Sequence, residues 1–304
     1  MINSAHSHQQ FNRGDAAISL SCVLWGLGTV LMKDVIGDTP DKITIFVFNG
    51  IRFPIGAILL FSTEKLIGES IQIRRKDLLF LAGFSFIGFI SILCFLYGLQ
   101  ITSASNAGVI TATVPLFILV VSFISGIEKP TFTMISGIIV GFIGALILGW
   151  RGDTYSVNTG DMLILAACVL SGVYAVKAKR ILNEYTPMVT AGWIFLFTFF
   201  YQLPFFIMKL PTQSWATVPA ETWIMFAISI VGPLYIANAF YYYSLKTIGA
   251  TRVGVFSYLT PVFTLFFAYL LRHEAITFQM IAGLIVIIGG IIITRKRVYR
   301  RPIY

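Results

Sequence analysis

The sequence predicts an all-α polytopic membrane protein with ten transmembrane helices, arranged as two inverted five-helix repeats. Hydrophobic residues make up 57% of the chain and charged residues only 12%, about half the charged share of an ordinary soluble domain. The two halves of the chain are also similar in sequence, at a constant offset of 146 residues. Positions 131–147 and 277–293 share nine identical residues among seventeen pairs. Common ancestry of two halves explains this similarity.

Ten stretches of roughly 17 to 23 mostly apolar residues have the length that crosses a hydrocarbon core as a helix. The shorter alternating segments of a membrane β-barrel are absent from the sequence. Each half has five spans, an odd number, so the second half enters the membrane from the side opposite to the first. The predicted spans are 16–35, 43–63, 78–99, 104–125, 133–150, 161–181, 187–208, 222–245, 250–271 and 277–294.

The linkers between these spans are short and polar, so the chain is predicted to form one ten-helix unit. The N-terminal tail, 1–13, is polar, and its two histidines are typical of tail residues and not of ligands. No convincing cleavage site follows the first span, which we expect to remain as a membrane anchor. The first repeat is predicted at 14–150, the second at 160–294, and a basic tail at 295–304.

The net charge of +9 becomes a topology signal once the cations are assigned to loops. The side that both termini share carries sixteen Lys and Arg residues, the opposite side carries five, and Arg52 lies inside a span. The positive-inside rule therefore predicts that both termini are cytoplasmic. The basic tail is interpreted as an orientation signal that contacts lipid headgroups, and we expect no nucleic-acid partner.

Two prolines at equivalent positions of the repeats, Pro115 and Pro261, lie inside the fourth and ninth spans. Each removes a backbone donor and frees the carbonyl four residues earlier, at Thr111 and Ser257. Bent helices with free polar groups at membrane depth are tolerated where they face protein or a watery cavity. The two prolines are thus candidate hinges of a transport cycle. Packing bends that the neighbouring hydroxyls satisfy are an equally weighted alternative.

Arg52 is predicted to lie roughly 13 Å deep in its span, near the bilayer centre. An arginine costs at least ~2.5 kcal/mol at that depth unless it is paired or hydrated. It could dock an anionic group of a substrate, or it could bond helix carbonyls and brace the bundle. The equivalent position of the second repeat is Thr198, which favours the structural role.

Aromatic and amide side chains within the spans need hydrogen-bond partners, so some of them should face a polar cavity. About half of this group is expected to line the site and the remainder to lie in interfacial belts. Together with the two hydroxyls beside the prolines, the candidate substrate-binding residues are Trp25, Tyr97, Asn106, Thr111, Tyr174, Trp193, Asn238, Tyr243 and Ser257.

Several functions are disfavoured by what the sequence lacks. No Asp or Glu lies deep in a span, so a carboxylate proton relay is not visible. No phosphate-binding loop is present, which removes ATP as a direct driver. The only histidines are His6, His8 and His273, none in a span, and no metal-ligand spacing occurs, so we expect neither a metal site nor a cofactor.

The chain resembles the EamA-type branch of the drug/metabolite transporter superfamily. The resemblance is carried by Trp25-Gly26, by Arg52-Phe53, and by the stretches from Tyr97 through Pro115 to Gly137 and from Tyr243 through Pro261 to Gly283. It covers about 14 to 295 and implies a ten-helix basket with a central cavity and cytoplasmic termini. It also implies export or exchange of amino acids and other small metabolites.

Two functions of different class remain open from the sequence. The favoured one is a secondary transporter in a bacterial inner membrane, an exporter or exchanger of small polar metabolites such as amino acids that works by alternating access. The alternative is a non-transporting membrane protein, either an accessory partner or a lipid-modifying enzyme. A small-molecule substrate and the lipid bilayer are the predicted partners, with the oligomeric state unknown.

Overall fold

The computed structural model describes residues 12–126, 131–149, 158–273 and 278–295. Within these ranges all regular structure is helical, apart from one isolated bridge between Ile36 and Ile43. The prediction of an all-α fold is confirmed. Glu128, Glu274, the first eleven residues and the basic tail beyond Arg295 lie outside the described residues, so what the sequence predicts for them stays a prediction.

The two repeats have matching helices. The 146-residue offset carries the bounds of α1, α4 and α6 onto those of α7, α11 and α13 to within one residue, so the duplication seen in sequence is also a duplication of structure. The first repeat contains α1 (Arg13–Val35), α2 (Ile45–Leu66), α3 (Arg75–Ile101), α4 (Ala104–Thr111), α5 (Val114–Ile124) and α6 (Phe132–Gly149). The second contains α7 (Thr159–Leu182), α8 (Pro187–Lys209), α9 (Ala220–Ser229), a π-helix (Ile230–Ile236), α10 (Ala237–Ile248), α11 (Ala250–Phe256), α12 (Leu259–Arg272) and α13 (Phe278–Arg295).

Helical segments of the described residues are long and apolar enough to cross a membrane at eight places, and two shorter apolar helices lie at Phe132–Gly144 and Ile281–Ile293. Together they correspond to the ten predicted spans, which confirms the two inverted five-helix repeats. Large apolar side chains such as Leu79, Phe132 and Phe278 are more than three-quarters exposed. In a multi-pass protein these side chains face lipid, which is as apolar as they are.

The first helix of each repeat packs on a broken helix of the other repeat. A Cβ added at Gly26 of α1 would come within 2.7 Å of the Phe263 Cβ on α12, and a Cβ at Gly172 of α7 would come equally close to the Phe117 Cβ on α5. Small residues let helix backbones approach in this way. The equivalent glycines therefore make the two halves interlock, and neither half contains its own complete packing.

Two equivalent cysteines add to these crossed contacts. The Cys22 thiol donates to the Phe256 carbonyl at 3.4 Å, and the Cys168 thiol donates to the Ile110 carbonyl at 3.6 Å. Both carbonyls lie at the end of the short helix that precedes a break. The thiols thus bond to backbone carbonyls next to the helix interruptions, and the Ile110 carbonyl also accepts from the Thr113 amide at 2.9 Å.

A network of charged and polar groups holds the end of the bundle where α1 begins. Arg74 pairs with Glu184 at 2.6 Å, the Tyr185 hydroxyl donates to Asp77 at 2.7 Å, and Lys246 donates to the Tyr185 carbonyl at 2.9 Å. Hydrogen bonds to Tyr185, Asp77 and Glu184 raise the pKa of Arg74 above its ordinary value. These contacts connect the start of α3, the α7–α8 connection and the end of α10.

Ion pairs also join the two repeats at both ends. Asp15 of α1 accepts from Arg252 of α11 at 2.5 Å, with both side chains buried. At the opposite end, Asp34 pairs with Arg272 at 2.5 Å in a partly exposed position, and Lys33 donates to the Leu99 carbonyl at 2.7 Å. An ion pair between helices that belong to different repeats is therefore present at each end of the bundle.

Candidate functional site

A cavity of about 320 Å³ lies in the middle of the bundle, between the two repeats. It reaches the size range of small-molecule sites, and its walls are mostly apolar with a few polar groups, as is usual for such sites. None of the described side chains of α6 or α13 lines it. The lining residues are Trp25, Thr29, Met32, Arg52, Phe53, Gly88, Ser91, Ile92, Phe95, Thr111, Val114, Ile118, Ala167, Cys168, Ser171, Tyr174, Ile194, Phe195, Thr198, Pro233, Leu234, Asn238, Tyr241, Ser257 and Thr260.

The cavity lies on the pseudo-two-fold axis of the molecule, because many lining residues are repeat equivalents of one another. At these positions the side chains differ between repeats, whereas the packing glycines and the thiols are the same in both. The scaffold is therefore symmetrical and the cavity wall is not. The equivalent pairs are Trp25 and Ser171, Arg52 and Thr198, Gly88 and Leu234, Ile92 and Asn238, Phe95 and Tyr241, Thr111 and Ser257, and Val114 and Thr260.

Two interrupted helices meet at this cavity. Between α4 and α5 the backbone tightens to bonds that span three residues, from the Ala112 amide to the Val109 carbonyl and from the Thr113 amide to the Ile110 carbonyl. Pro115 then lies in the first turn of α5, where the missing donor costs least. Pro261 occupies the first turn of α12 in the same way.

The sequence predicted bends at these prolines, and the structure shows a tightened turn just before each of them, in which the backbone stays right-handed helical. The interpretation that Thr111 and Ser257 satisfy the freed carbonyls needs correction. The Thr111 hydroxyl donates to the Gly108 carbonyl at 2.7 Å, and the Ser257 hydroxyl donates to the Val253 carbonyl at 3.1 Å. Both hydroxyls bond to the preceding turn, because their own carbonyls point the other way along the helix.

Among the described residues, Arg52 is the only charged side chain that lines the cavity. Its exposed fraction is 4%. One guanidinium nitrogen donates to the Met32 sulfur at 3.1 Å, and the group lies 4.7 Å from the ring centroid of Phe48 and 5.1 Å from that of Phe53. The sulfur is a weak acceptor, so these contacts hold the cation without neutralising it.

Bracing through helix carbonyls, which the sequence favoured for Arg52, is not what the structure shows. No carbonyl or carboxylate within the described ranges accepts a hydrogen bond from this side chain, and its Nε atom is buried without a partner. A buried cation with such weak partners is costly unless an anion joins it.

The second repeat contributes the amide of Asn238 to the cavity wall. The π-helix widens the turn around Pro233, and the Asn238 amide donates to the carbonyls of Pro233 at 3.1 Å and Leu234 at 2.8 Å. The predicted eighth span, 222–245, contained no such irregular turn. Pro233 inside this span was the feature of the sequence that could have indicated an irregular turn. Such π-turns occur often at functional sites.

Aromatic rings form the wall toward the end where α1 begins. Trp25 packs against Tyr241 with ring centroids 4.9 Å apart, and the hydroxyls of Tyr174 and Tyr242 are hydrogen-bonded to each other. The stack continues from Tyr174 to Phe84 at 4.3 Å. These rings separate the cavity from that end of the bundle and present it with flat apolar faces.

Six of the predicted site residues line the cavity: Trp25, Arg52, Thr111, Tyr174, Asn238 and Ser257. Four predicted binding residues do not, and their side chains lie elsewhere. Tyr97 and Tyr243 are more than a third exposed, Asn106 bonds to the Thr102 hydroxyl at 3.3 Å, and the Trp193 indole donates to the Ile71 carbonyl at 2.8 Å. The helical rotation of these four positions points them away from the axis of the bundle.

Sequence reasoning missed other residues of the wall. Ser91 and Ser171 approach each other at 3.1 Å between their hydroxyls, and Thr260 also lines the cavity. The repeat could have indicated some of them, because a residue equivalent to a cavity residue is itself a candidate. Ser171 is equivalent to Trp25, and Thr260 is equivalent to Val114, the residue before Pro115. Within the described parts of the chain, no three His, Cys, Asp or Glu side chains lie close enough together to hold a metal ion.

Comparisons with known proteins agree with this architecture. A model of the EamA-like transporter family matches residues 12–150 and 158–295. The chain is similar to the uncharacterized transporters YetK and YoaV of Bacillus subtilis strain 168, with 26% identity over 84% of this chain and 79% of YetK, and 24% over 92% of this chain and 96% of YoaV.

Two further similarities are more distant. A probable terminal-alkyne amino-acid exporter of Streptantibioticus cattleyicolor is 24% identical over 65% of this chain and 66% of its own length. One solved crystal structure superposes with a TM-score of 0.71 at 20% identity, over 93% of this chain and 96% of that one. That likeness shows the fold alone.

Proposed function

The chain belongs to the EamA-like transporter family, and we propose that it exports or exchanges small polar metabolites with an anionic group, amino acids among them. The protein is a multi-pass membrane transporter and not an enzyme. The proposed cycle is alternating access around the central cavity, driven by exchange of conformations between the two repeats. The observation that carries the proposal is the unneutralised Arg52 in the cavity wall.

A cation at this depth selects the charge of the substrate. Arg52 faces a mostly apolar cavity, where water does not screen it as bulk solvent does, so an anionic group that enters gains a strong interaction. Hydrogen bonds to charged groups contribute about 1.5–3 kcal/mol each. A cationic substrate would meet repulsion there, and an apolar one would leave the charge uncompensated.

The remainder of the wall supports a small substrate with an apolar portion. Trp25, Phe53 and Tyr241 offer ring faces, whereas hydroxyls such as those of Ser91 and Thr198 offer a few hydrogen bonds. We propose that the six predicted residues that line the cavity contact the substrate, with Arg52 as the anion-docking residue. The distant similarity to an amino-acid exporter supports this substrate class.

The interrupted helices support the proposed conformational cycle. Discontinuous spans at the repeat interface are the places where transporters of this architecture bind substrate and change shape. We propose that Pro115 and Pro261 keep the two breaks open, so that the half-helices beside the cavity can tilt separately. The two repeats, 14–150 and 160–294, would then exchange conformations in each cycle.

We also propose that the protein lies in a bacterial inner membrane with both termini in the cytoplasm. The bias of sixteen cationic residues on one side against five on the other supports this orientation. In that orientation the aromatic wall of Trp25 and Tyr241 lies toward the cytoplasm.

A counterflow assay on purified protein in liposomes tests the substrate class. Vesicles preloaded with an unlabelled amino acid should accumulate the labelled form, and addition of the same amino acid outside should abolish the accumulation. Vesicles that contain Arg52→Gln protein, with correct folding checked by gel filtration, should show much less at equal substrate concentration. If correctly folded wild-type protein exchanges none of the twenty amino acids, the proposed substrate class is wrong.

A comparison of metabolites in cells is an independent test of the substrate class. Metabolite profiles of cells and medium, compared between a deletion strain and a strain that overproduces the protein, should show an amino acid or a related small acid retained inside the deletion strain. Retention of cations or of uncharged apolar compounds alone would contradict the role of Arg52.

A further inference from the structure

Two buried amides, on the helices that carry the cavity residues Arg52 and Thr198, have no hydrogen-bond partner. Asn49 of α2 and Gln202 of α8 are both fully buried, and neither the oxygen nor the nitrogen of either amide is paired. The Nε atom of Arg52 is also unpaired. Buried polar groups are normally satisfied, and each exception needs an explanation. Four unpaired amide atoms, one helical turn from residues that line the cavity, point to hydrogen bonding with a ligand group.

The packing of α2 on α8 puts these amides at one level. Phe46 stacks on Phe205 at 4.9 Å, and Phe53 packs against Phe195 at 5.5 Å. The two helices therefore run antiparallel, with Asn49 and the residues near Gln202 midway between these contacts. Phe46 and Phe53 are the i−3 and i+4 neighbours of Asn49, so Asn49 lies on the face of α2 that meets α8.

The same spacing puts Gln202 on the face of α8 that meets α2. Phe205 is its i+3 neighbour, and Phe206 is its i+4 neighbour and lies against Gly50 of α2. The cavity residue Thr198 is four residues before Gln202, and Arg52 is three residues after Asn49. Each amide thus lies one helical turn, about 5.4 Å, beyond a cavity residue on its own helix.

The second copy of this arrangement shows that the scaffold does not require the amides. The repeat equivalent of Asn49 is Phe195, and that of Gln202 is Gly56. Phe195 and Gly56 pack together, since a Cβ at Gly56 would lie 3.1 Å from the Phe195 ring. One side of the pseudo-two-fold axis is therefore apolar and close-packed, whereas the other carries two unpaired amides and a cation.

We propose that Asn49 and Gln202 form a subsite for a hydrogen-bond donor that the substrate carries next to its anionic group. This inference rests on the proposed function, in which Arg52 binds that anionic group. The amide oxygens would accept from an ammonium or a hydroxyl on the carbon beside a carboxylate, once rotation of the amides opens the subsite to the cavity. The substrate is then an amino or hydroxy acid, and a simple carboxylic acid is rejected because it leaves the amides unpaired.

Three acids that differ only beside the carboxylate test the subsite. Phenylalanine carries an ammonium there, phenyllactate a hydroxyl and phenylpropionate a hydrogen, and their ring suits the aromatic wall. Binding to purified wild-type protein is measured by thermal shift and tryptophan fluorescence. We expect at least one of the two substituted acids to bind about tenfold or more tightly than phenylpropionate, and the comparison between them distinguishes an ammonium from a hydroxyl.

Apolar replacements of the amides complete the test. In Asn49→Leu and Gln202→Leu the preference should fall to about twofold or less, with phenylpropionate binding unchanged. The melting temperature should stay the same or rise, because an apolar side chain replaces an unpaired buried amide. Ser122→Ala removes another buried, unpaired hydroxyl, on α5, and should leave the preference intact.

The possible outcomes distinguish failure of the subsite at Asn49 and Gln202 from failure of the proposed anion site at Arg52. Equal binding of all three acids by wild-type protein overturns the subsite and leaves the anion site in place, and it does so without any variant. A lower melting temperature with an unchanged preference in the Leu variants assigns the amides a packing role and also overturns it. If wild-type protein binds none of the three acids, the subsite inference is overturned, whereas the counterflow assay with all twenty amino acids decides the proposed function separately.

Discussion

At the scale of single residues, the unpaired charge of Arg52 is the feature on which the proposed anion site depends. Its contacts are a thioether and two aromatic rings, in place of the carboxylate that a structural ion pair would supply. Asp15 and Arg252 show the opposite case. They are buried at a repeat interface and pair directly. The first arrangement leaves a charge available to a ligand, and the second consumes both charges in the scaffold.

Changing Arg52 should therefore affect binding more than folding. We expect Arg52→Gln to raise the half-saturating substrate concentration by about 10- to 100-fold, the equivalent of one charge-assisted hydrogen bond of 1.5–3 kcal/mol. Arg52→Lys keeps the charge and loses the planar fork of donors, so its effect should be smaller. Both variants should give normal yields in detergent.

The control for Arg52 is Arg272→Gln, which removes a cation outside the cavity and should leave the half-saturating concentration unchanged. A fall in the yield of folded protein for Arg52→Lys, with unchanged affinity in the protein that remains, would restore the bracing role that the sequence favoured.

Breaking the buried pair should instead destabilise the fold. Arg252→Met leaves Asp15 charged and buried, at a cost of about 3–5 kcal/mol, and should lower the melting temperature by many degrees. The double variant Asp15→Leu with Arg252→Met should recover most of the loss, because no unpaired charge remains. Arg272→Met, which breaks the partly exposed pair with Asp34, should cost about 0–1 kcal/mol. A double variant no more stable than Arg252→Met would show that the charges themselves are needed.

At the scale of secondary structure elements, not every proline interrupts its helix. Pro54 and Pro204 lie inside the continuous helices α2 and α8, whereas Pro115 and Pro261 lie in the first turn of α5 and α12, just after a tightened turn. All of these helices border the cavity, so the difference is the position of the proline within its helix. The thiols of Cys22 and Cys168 bond to carbonyls next to those two tightened turns.

Restoring the backbone N–H groups that Pro115 and Pro261 lack should favour one conformation of the transport cycle over the other. Pro115→Ala and Pro261→Ala each allow a hydrogen bond to the carbonyl four residues earlier, which should favour a continuous helix on one side of the cavity. Because the prolines are repeat equivalents in inverted halves, we expect opposite changes in accessibility. A cysteine at Ser171, in protein otherwise free of cysteine, reports this by its labelling rate from each side of the membrane.

Pro204→Ala is the matched control for these variants, since it removes a proline from a helix that is already continuous. Its labelling rates should equal those of the parent protein. If Pro115→Ala and Pro261→Ala also label and transport like the parent, the breaks are packing features only.

At the scale of the whole molecule, the repeats are interlocked and their helix ends are joined across halves. Equivalent glycines of α1 and α7 receive Phe263 and Phe117 from the other repeat. Such a bundle can adopt two related conformations by exchanging the arrangements of its halves. The inverted orientation that this requires follows from an odd number of spans in each half.

A reporter at the C-terminus tests the proposed orientation. A fluorescent protein that matures only in the cytoplasm, fused after Tyr304, should be bright, because the cationic bias places that end inside. A phosphatase active only outside the cytoplasm should be inactive at the same position. The reverse pattern would contradict the cytoplasmic termini, and the proposed direction of the aromatic wall with them.

Local and repetitive information in the sequence was enough to predict the fold class and most helix bounds. Apolar length determines which segments cross a membrane, and the 146-residue duplication determined that α1 through α6 have counterparts in α7 through α13. The breaks before Pro115 and Pro261 were partly predictable, because a proline removes a specific hydrogen bond whatever its surroundings.

Only the tertiary structure decided which side chains meet. Ser91 and Ser171, or Asn49 and Gln202, come together through the rotation of each helix about its axis and the angle at which it crosses its neighbours. Hydropathy in a span that is apolar on every side carries almost no signal for that rotation. For this reason Tyr97 and Trp25 looked alike as candidates in the sequence, and only packing placed Trp25 in the cavity and Tyr97 outside it.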